Sequence, residues 1–272
     1  MQLTDKEFDE ISTFVRSRYG INLTDKKKML VATRLNFIFD KYDVKSYGDY
    51  FEMMRNDMAG DLTVEFLNRI TTNHTFVNRE AHHFEFMKSE VLPYIEKFEY
   101  GSKDLRIWSA GCSNGAEAYS IAMTVEDYLG TQKRFWDTTI LATDISMDIL
   151  HKAKEGAFPE EDLKTAPDEW IRKYFDKGVG DHYVVKKRLR DEVLFRRLNL
   201  MNQFPFRKKF HLIFCRNVMI YFDNDFKHQL AAKFYDQLED GGYLFIGHSE
   251  TLDRNKTNFE YVKPAIYRKG CK

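Results

Sequence analysis

The spacing of apolar residues along this chain changes near residue 75. Before that point apolar positions recur at the period of a helix with one buried face. Phe8, Ile11 and Val15 share such a face. Thr4 with Glu7 is the signature of a capping box ahead of it, and Gly20 stands where the helix should end. A second helix is expected from Thr24, carrying Leu30, Arg34, Leu35 and Ile38. A third is expected from Ser46, and a fourth over DLTVEFLNRI after Gly60. Such helices make a small all-α bundle.

From residue 104 onward the pattern alternates. LRIWSA, TTILATD, HLIFCRN and GYLFIG are apolar runs of strand length, and helical patterns begin at Glu117 and run through FKHQLAAKFYDQL. This alternation predicts an α/β domain, a parallel sheet with helices on both faces. The closing FEYVKPAIYRKG reads as a short strand added at an edge. Residues from about 155 to 195 interrupt the order with a turn-rich stretch and short alternating segments around Tyr183, Val184 and Val185. The expected division is therefore a helical domain over 1–75 and an α/β domain over 76–272 with a small β insert.

The chemistry starts at IWSAGCSNGAEAYSIAM, residues 107–123, where Gly111 and Gly115 lie between the first strand and its helix. In an open α/β sheet, ligands bind beyond the carboxyl ends of the strands, and glycine there lets backbone approach a ligand. GCSNG lacks the third glycine and the spacing of the dinucleotide fingerprint, which disfavours a nicotinamide oxidoreductase. A second strand ends in Asp144, placed to accept hydrogen bonds from ribose hydroxyls. Together these features point to an adenosine-type ligand without a pyrophosphate.

Composition narrows the class. Lys and Arg number 42, as do Asp and Glu, so the net charge is zero and wholesale nucleic-acid binding is not expected. Cys112, Cys215 and Cys271 form no CxxC pair and leave one over in any disulfide scheme, which fits a reducing compartment and offers no metal framework. The start is too charged for a signal peptide and no apolar run approaches membrane-spanning length, so a cytoplasmic chain without membrane insertion is expected. His82 and His83 are adjacent on a helical stretch and so should point to different faces, poor geometry for one metal. The balance is broken locally, since residues 16–39 hold six Lys/Arg and a single acid, Asp25.

Six motifs in order, ITTNHTFVNREAHHF, AGCSNGAEAYSIAM, ATDIS, LNLMNQFPF, IFCRNVMIYF and GHSE, resemble those of the chemotaxis receptor glutamate methyltransferases, the CheR family. The similarity extends over nearly the whole chain, including YGINLTDKKKMLVATRL in the helical part. It implies a Rossmann-like S-adenosylmethionine-dependent methyltransferase sheet with an inserted β subdomain, preceded by an all-α domain. It also implies transfer of methyl groups to glutamates on the cytoplasmic helices of methyl-accepting receptors, with S-adenosylhomocysteine as product and no metal.

Carried over by position, the cofactor contacts fall on Asn73, Thr75, Arg79, Glu117, Asp144, Asn199, Leu200, Arg216 and Asn217, with Gly111 in the loop. Tyr221 matches a position close to the transferring methyl. Arg79 and Tyr221 are the candidate catalytic residues, Arg79 orienting either the substrate carboxylate or the cofactor's own. The acidic, glutamate-bearing substrate makes Lys26, Lys27, Lys28 and Arg34 a candidate docking surface. A monomer is expected. The short loop in KGVGDHYVV argues against tethering of a receptor peptide by the β insert. The chain departs from the family's common S-T-G-E-E-P-Y at Ser113-Asn114-Gly115-Ala116-Glu117-Ala118-Tyr119, and Val77-Asn78 replace aromatics before the arginine. A cofactor-binding regulatory protein without turnover is the alternative.

Overall fold

A computed structural model describes residues 2–71 and 75–271. The chain forms two compact units, Met1–His74 with Tyr221–Phe226, and Thr75–Ile220 with Lys227–Lys272.

In the helical unit, the first helix spans Asp5–Tyr19 and its capping box is formed: Thr4 Oγ1 accepts from the Glu7 N–H, and the Glu7 carboxylate accepts from the Thr4 N–H at 2.9 Å. Gly20 closes it in the left-handed region. The expected second helix is broken into a 3₁₀ turn, Asp25–Lys27, and helices Lys28–Leu35 and Phe37–Tyr42. Its inward face is Val31, Leu35 and Ile38; Leu30, expected there, is exposed. Helices Tyr47–Asn56 and Asp61–Ile70 complete the unit, the first capped by the Ser46 hydroxyl. Tyr47, Tyr50, Phe51 and Phe66 fill its centre, and Phe51 meets Phe66 edge to face. Aromatic burial of this kind supplies most of the cohesion of a small bundle.

The second unit holds the strands: β1 Ile107–Ala110, β2 Ile140–Asp144, β3 Ala157–Pro159, β4 Phe175–Lys177, β5 His182–Val185, β6 Val193–Arg197, β7 Phe210–Cys215, β8 Leu238–Ile246, β9 Glu260–Lys263 and β10 Ile266–Arg268. The main sheet runs β6-β2-β1-β7-β8-β10-β9. Its first five strands are parallel, and β10 and β9 add antiparallel. The sheet is therefore mixed, and the expected single edge strand is a hairpin. β1 and β7 are buried throughout, as strands covered on both faces must be. Trp108 on β1 donates its indole N–H to Thr143 Oγ1 at 2.9 Å and packs against Phe204, Phe206, Phe210 and Phe234.

The insert is a separate antiparallel sheet, β3-β5-β4. It closes by β5, because Val193–Arg197, read in part as insert, pairs parallel with β2. The alternation of buried and exposed residues in VLFRR is that of an edge strand, which from sequence looks the same as a hairpin strand.

Candidate functional site

Chain order reverses direction between β1 and β7: β2 lies on one side of β1, and β7 and β8 on the other. Crevices at such a switch point are where open α/β sheets bind ligands. There the exit of β7 meets Arg79 and Glu80, and the turn after β1 meets the end of β2.

The turn after β1 is fixed by the Gly111 and Cys112 N–H groups, which both donate to the Thr143 carbonyl at 2.8 and 2.9 Å. Gly111 has φ +83, and a Cβ on it would lie 2.5 Å from Val218 Cγ2. Gly115 has φ +86, and its Cβ would crowd Ala153 and Phe195 at 3.1 Å. Turn conformation and protein packing account for both.

Asp144 ends β2, partly exposed. Its two oxygens accept from the Ser113 N–H at 3.0 Å and the Ser146 N–H at 3.1 Å. Burial pushes its pKa up against those bonds. The Asp144 carbonyl accepts from Leu198 N–H, which brings Asn199 and Leu200 beside the end of β2. Asn199 Oδ1 accepts from Met201 N–H, and Leu200 is buried.

Arg216, at the end of β7, has a side chain only 2% exposed. It reaches the Glu80 carboxylate at 3.1 Å and the Glu117 carboxylate at 3.2 Å, and donates to the Arg79 backbone carbonyl. Ser109 Oγ holds the other Glu117 oxygen at 2.7 Å. Burial raises the pKa of Glu117, partly offset by Arg216. For Glu80 burial works the same way, but the Arg216 charge and the His248 N–H outweigh it and hold the carboxyl below its ordinary value. One guanidinium thus joins two carboxylates from different elements, the fork geometry that lysine lacks. The Arg79 guanidinium sits 5.8 Å from the Phe76 ring centre.

Asn217 is in the left-handed region, φ 59, and its N–H donates to Glu250 at 2.9 Å. Glu250 also accepts from the Gly247 and Ile220 N–H groups, tying the β7 exit to the β8 exit. Asn78, Glu80, Ser113 and Asn217 all take positive φ. Backbone of this kind, costing roughly 1–3 kcal/mol per residue, persists where surrounding structure enforces it.

The site residues expected from the sequence divide accordingly. Arg79, Arg216 and Asn217 lie on loops that meet Glu117 in the first turn of the helix Ala116–Leu129, with Asp144, Asn199 and Leu200 grouped at the end of β2. Thr75 is partly exposed at the start of the sheet unit, and Asn73 lies outside the described residues. Tyr221 packs with the helical unit, where its carbonyl accepts from Asn22 N–H at 2.8 Å and Ile21 bridges to Phe222. Glu80 and Glu250 were not singled out. Their signals were the acid following Arg79 in NREAHH and the last residue of GHSE. Cys112 and Cys215 are buried with thiol pKa values pushed up by burial, inert small hydrophobes as expected.

The basic stretch is less free than its sequence implies. Lys26 is exposed, but Lys27 is half-buried and donates to the Asn22 carbonyl at 3.3 Å. Lys28 pairs with Asp5 at 2.5 Å, Arg16 with Asp223 at 2.8 Å, and Arg34 donates to the Arg69 and Thr71 carbonyls at 3.1 and 3.2 Å.

Residues 73–268 match the family described as CheR methyltransferase, SAM binding domain, and residues 6–71 match its all-alpha domain. The sheet unit is thus an S-adenosylmethionine-dependent methyltransferase domain. Over 273 residues the chain is 40% identical to a chemotaxis protein methyltransferase of Borreliella burgdorferi, covering 99% of this chain and 96% of that protein. It is 35% identical over 277 residues to chemotaxis protein methyltransferase 1 of Pseudomonas aeruginosa, covering 98% and 99%. Against the chemotaxis protein methyltransferase of Escherichia coli it is 34% identical over 271 residues, covering 98% and 92%. The chain belongs to the CheR methyltransferase family.

Proposed function

We propose that this enzyme esterifies glutamate side chains on the cytoplasmic helices of methyl-accepting chemotaxis receptors, working in the cytoplasm as a monomer. The observation that carries the reading is the ordered constellation at the switch point, Asp144 at the end of β2 and Arg216 locked between Glu80 and Glu117, on a chain that matches both CheR domains.

The residues fit the cofactor. The Asp144 oxygens accept backbone N–H groups on a partly exposed residue, and a carboxylate has further acceptor capacity for a ribose diol. Bound S-adenosylmethionine supplies an electrophilic methyl group on a sulfonium. Asp144, Asn199 and Leu200 would hold the adenosine part. Glu117, Arg216 and Asn217 would shape the floor beneath the amino-acid part, with Asn73 and Thr75 assigned by family position alone. A glutamate carboxylate is ionised at neutral pH, so no general base is needed and the chain's task is alignment and exclusion of water. Arg79 offers a planar two-point contact to a carboxylate, the substrate's or the cofactor's. Tyr221 is assigned a neutral hydroxyl near the transferring methyl by family position alone. The exposed Lys26 and the outer part of the basic stretch would meet the acidic receptor helix.

Incubation with methyl-labelled S-adenosylmethionine and a receptor cytoplasmic fragment should place base-labile label on the receptor. Absence of label at saturating cofactor, with S-adenosylhomocysteine binding intact by titration, would instead leave a binding protein without turnover.

A further inference from the structure

The helix that begins at His82 and the turn that follows β8 bring three imidazoles together, those of His82, His83 and His248. One ligand nitrogen from each lies within 4.8 Å of the other two. The ring centres of His82 and His83 are 4.2 Å apart, and those of His82 and His248 4.1 Å. His82 Nε2 and His248 Nε2 face each other at 2.5 Å. Adjacency in sequence had argued against joint ligation. The structure corrects this: His82 opens the helix and the two rings converge rather than diverge.

His83 is the second observation. Its side chain is fully buried, yet neither ring nitrogen has a hydrogen-bond partner. Buried polar atoms are rarely left so, and one without a partner marks a place where something else binds. The Glu80 carboxylate stands 3.5 Å from His83 Nδ1. That is too long and misaligned for a hydrogen bond here, but it is the placing of an outer carboxylate that orients a ligating histidine.

We propose that His82, His83 and His248 form a binding site for a divalent transition-metal ion of the zinc class, distinct from the methyl-transfer chemistry and independent of the proposed substrate. Three imidazoles suit zinc, nickel or copper and not magnesium or calcium, which take oxygen ligands. Zinc–nitrogen bonds of about 2.0–2.1 Å set tetrahedral ligand nitrogens about 3.3 Å apart. The half-buried ring of His82 and the exposed ring of His248 therefore need to separate by less than about 1 Å while the His83 ring closes on them. Three protein ligands leave one coordination place for water. The bound ion would pin the β8 exit to the start of the helix, and with it the His248 N–H that holds Glu80.

The test is zinc titration of the full chain in a Cys271→Ser background, which removes the exposed thiol, with cobalt as the optical probe. One ion per chain is expected, with a visible cobalt spectrum free of thiolate charge transfer and a melting temperature that rises with zinc. His248→Ala, and His82→Ala with His248→Ala, change partly exposed residues. They should melt normally in chelator and bind zinc at least about tenfold more weakly. His151→Ala, outside the cluster, should bind as the parent does. Equal zinc affinity in parent and double variant, no binding by the parent, or a thiolate band from the cobalt form would overturn the assignment.

Discussion

Two regions of this protein gather charge and use it in opposite ways. In the helical unit Lys26 is exposed, and the Arg16–Asp223 and Lys28–Asp5 ion pairs each have one member more than half exposed. In the sheet unit, Arg216 is buried and bonded on every side to Glu80, Glu117 and the Arg79 carbonyl. Outward charges of the first kind contribute about 0–1 kcal/mol per pair to folding and act chiefly on encounter with a partner. A buried network of the second kind fixes geometry, and breaking one member leaves uncompensated charge. The lesson is that the density of charge in sequence says little. Burial and partners decide whether a cation serves recognition or architecture.

The largest effect should come from Arg216→Leu. With Glu80 and Glu117 left facing each other unpaired, unfolding in urea should show a loss of about 3–5 kcal/mol. Arg216→Lys should recover only part of it, because lysine cannot bridge two carboxylates and a carbonyl. Full stability in either variant would erase the contrast between the regions.

Arg79→Lys should keep the fold and slow methylation by up to about 10²-fold, since an ammonium cannot align a carboxylate at two points. Steady-state rates with receptor fragment measure this, and a normal rate would reduce Arg79 to a point charge. Asp144→Ala should weaken S-adenosylhomocysteine binding about tenfold or more, the equivalent of losing charge-assisted hydrogen bonds of about 1.5–3 kcal/mol. Calorimetric titration reads it directly, and unchanged affinity would remove Asp144 from the site.

A smaller effect separates the carboxylates by pH. Glu80 has a folded pKa below its ordinary 4.5, so the unfolded chain binds its proton first on acidification. Its stabilisation is complete above that value and is lost as pH falls through the folded pKa. Glu80→Gln should flatten the acid limb of the stability–pH curve in that window. Raised groups such as Glu117 act with the opposite sign, their stabilisation being lost as pH rises through the folded pKa.

The smallest effect on the molecule itself belongs to the basic stretch. Reversal of Lys27, Lys28 and Arg34 would disturb hydrogen bonds or an ion pair within the helical unit, so the clean variant is Lys26→Glu. Stability should move by no more than about 0.5 kcal/mol and cofactor affinity not at all. Receptor methylation at limiting receptor should fall a few-fold at low salt. The wild-type rate should decline as salt shortens screening to about 8 Å or less, and the reversed variant should respond little. A normal low-salt rate in the variant would make the stretch a solvated face.

Local rules in the sequence determined much of this protein. The capping box at Thr4, the stop at Gly20, the helix start after Gly60, and the alternation from β1 onward follow from hydrogen-bond satisfaction and from the two periods of burial. The acid at the end of β2 and the motif order carried the family. What the tertiary structure alone decided is which distant residues meet. Glu80, Arg216 and Glu250 come from segments far apart in the chain, and no spacing rule joins them. The same holds for Val218 occupying the space beside Gly111, for the return of Val193–Arg197 to the main sheet, and for the convergence of His248 on His82 and His83. Periodicity reports which face of an element is buried, while the identity of what covers that face is a property of packing between elements, where contacts are set by the whole chain at once.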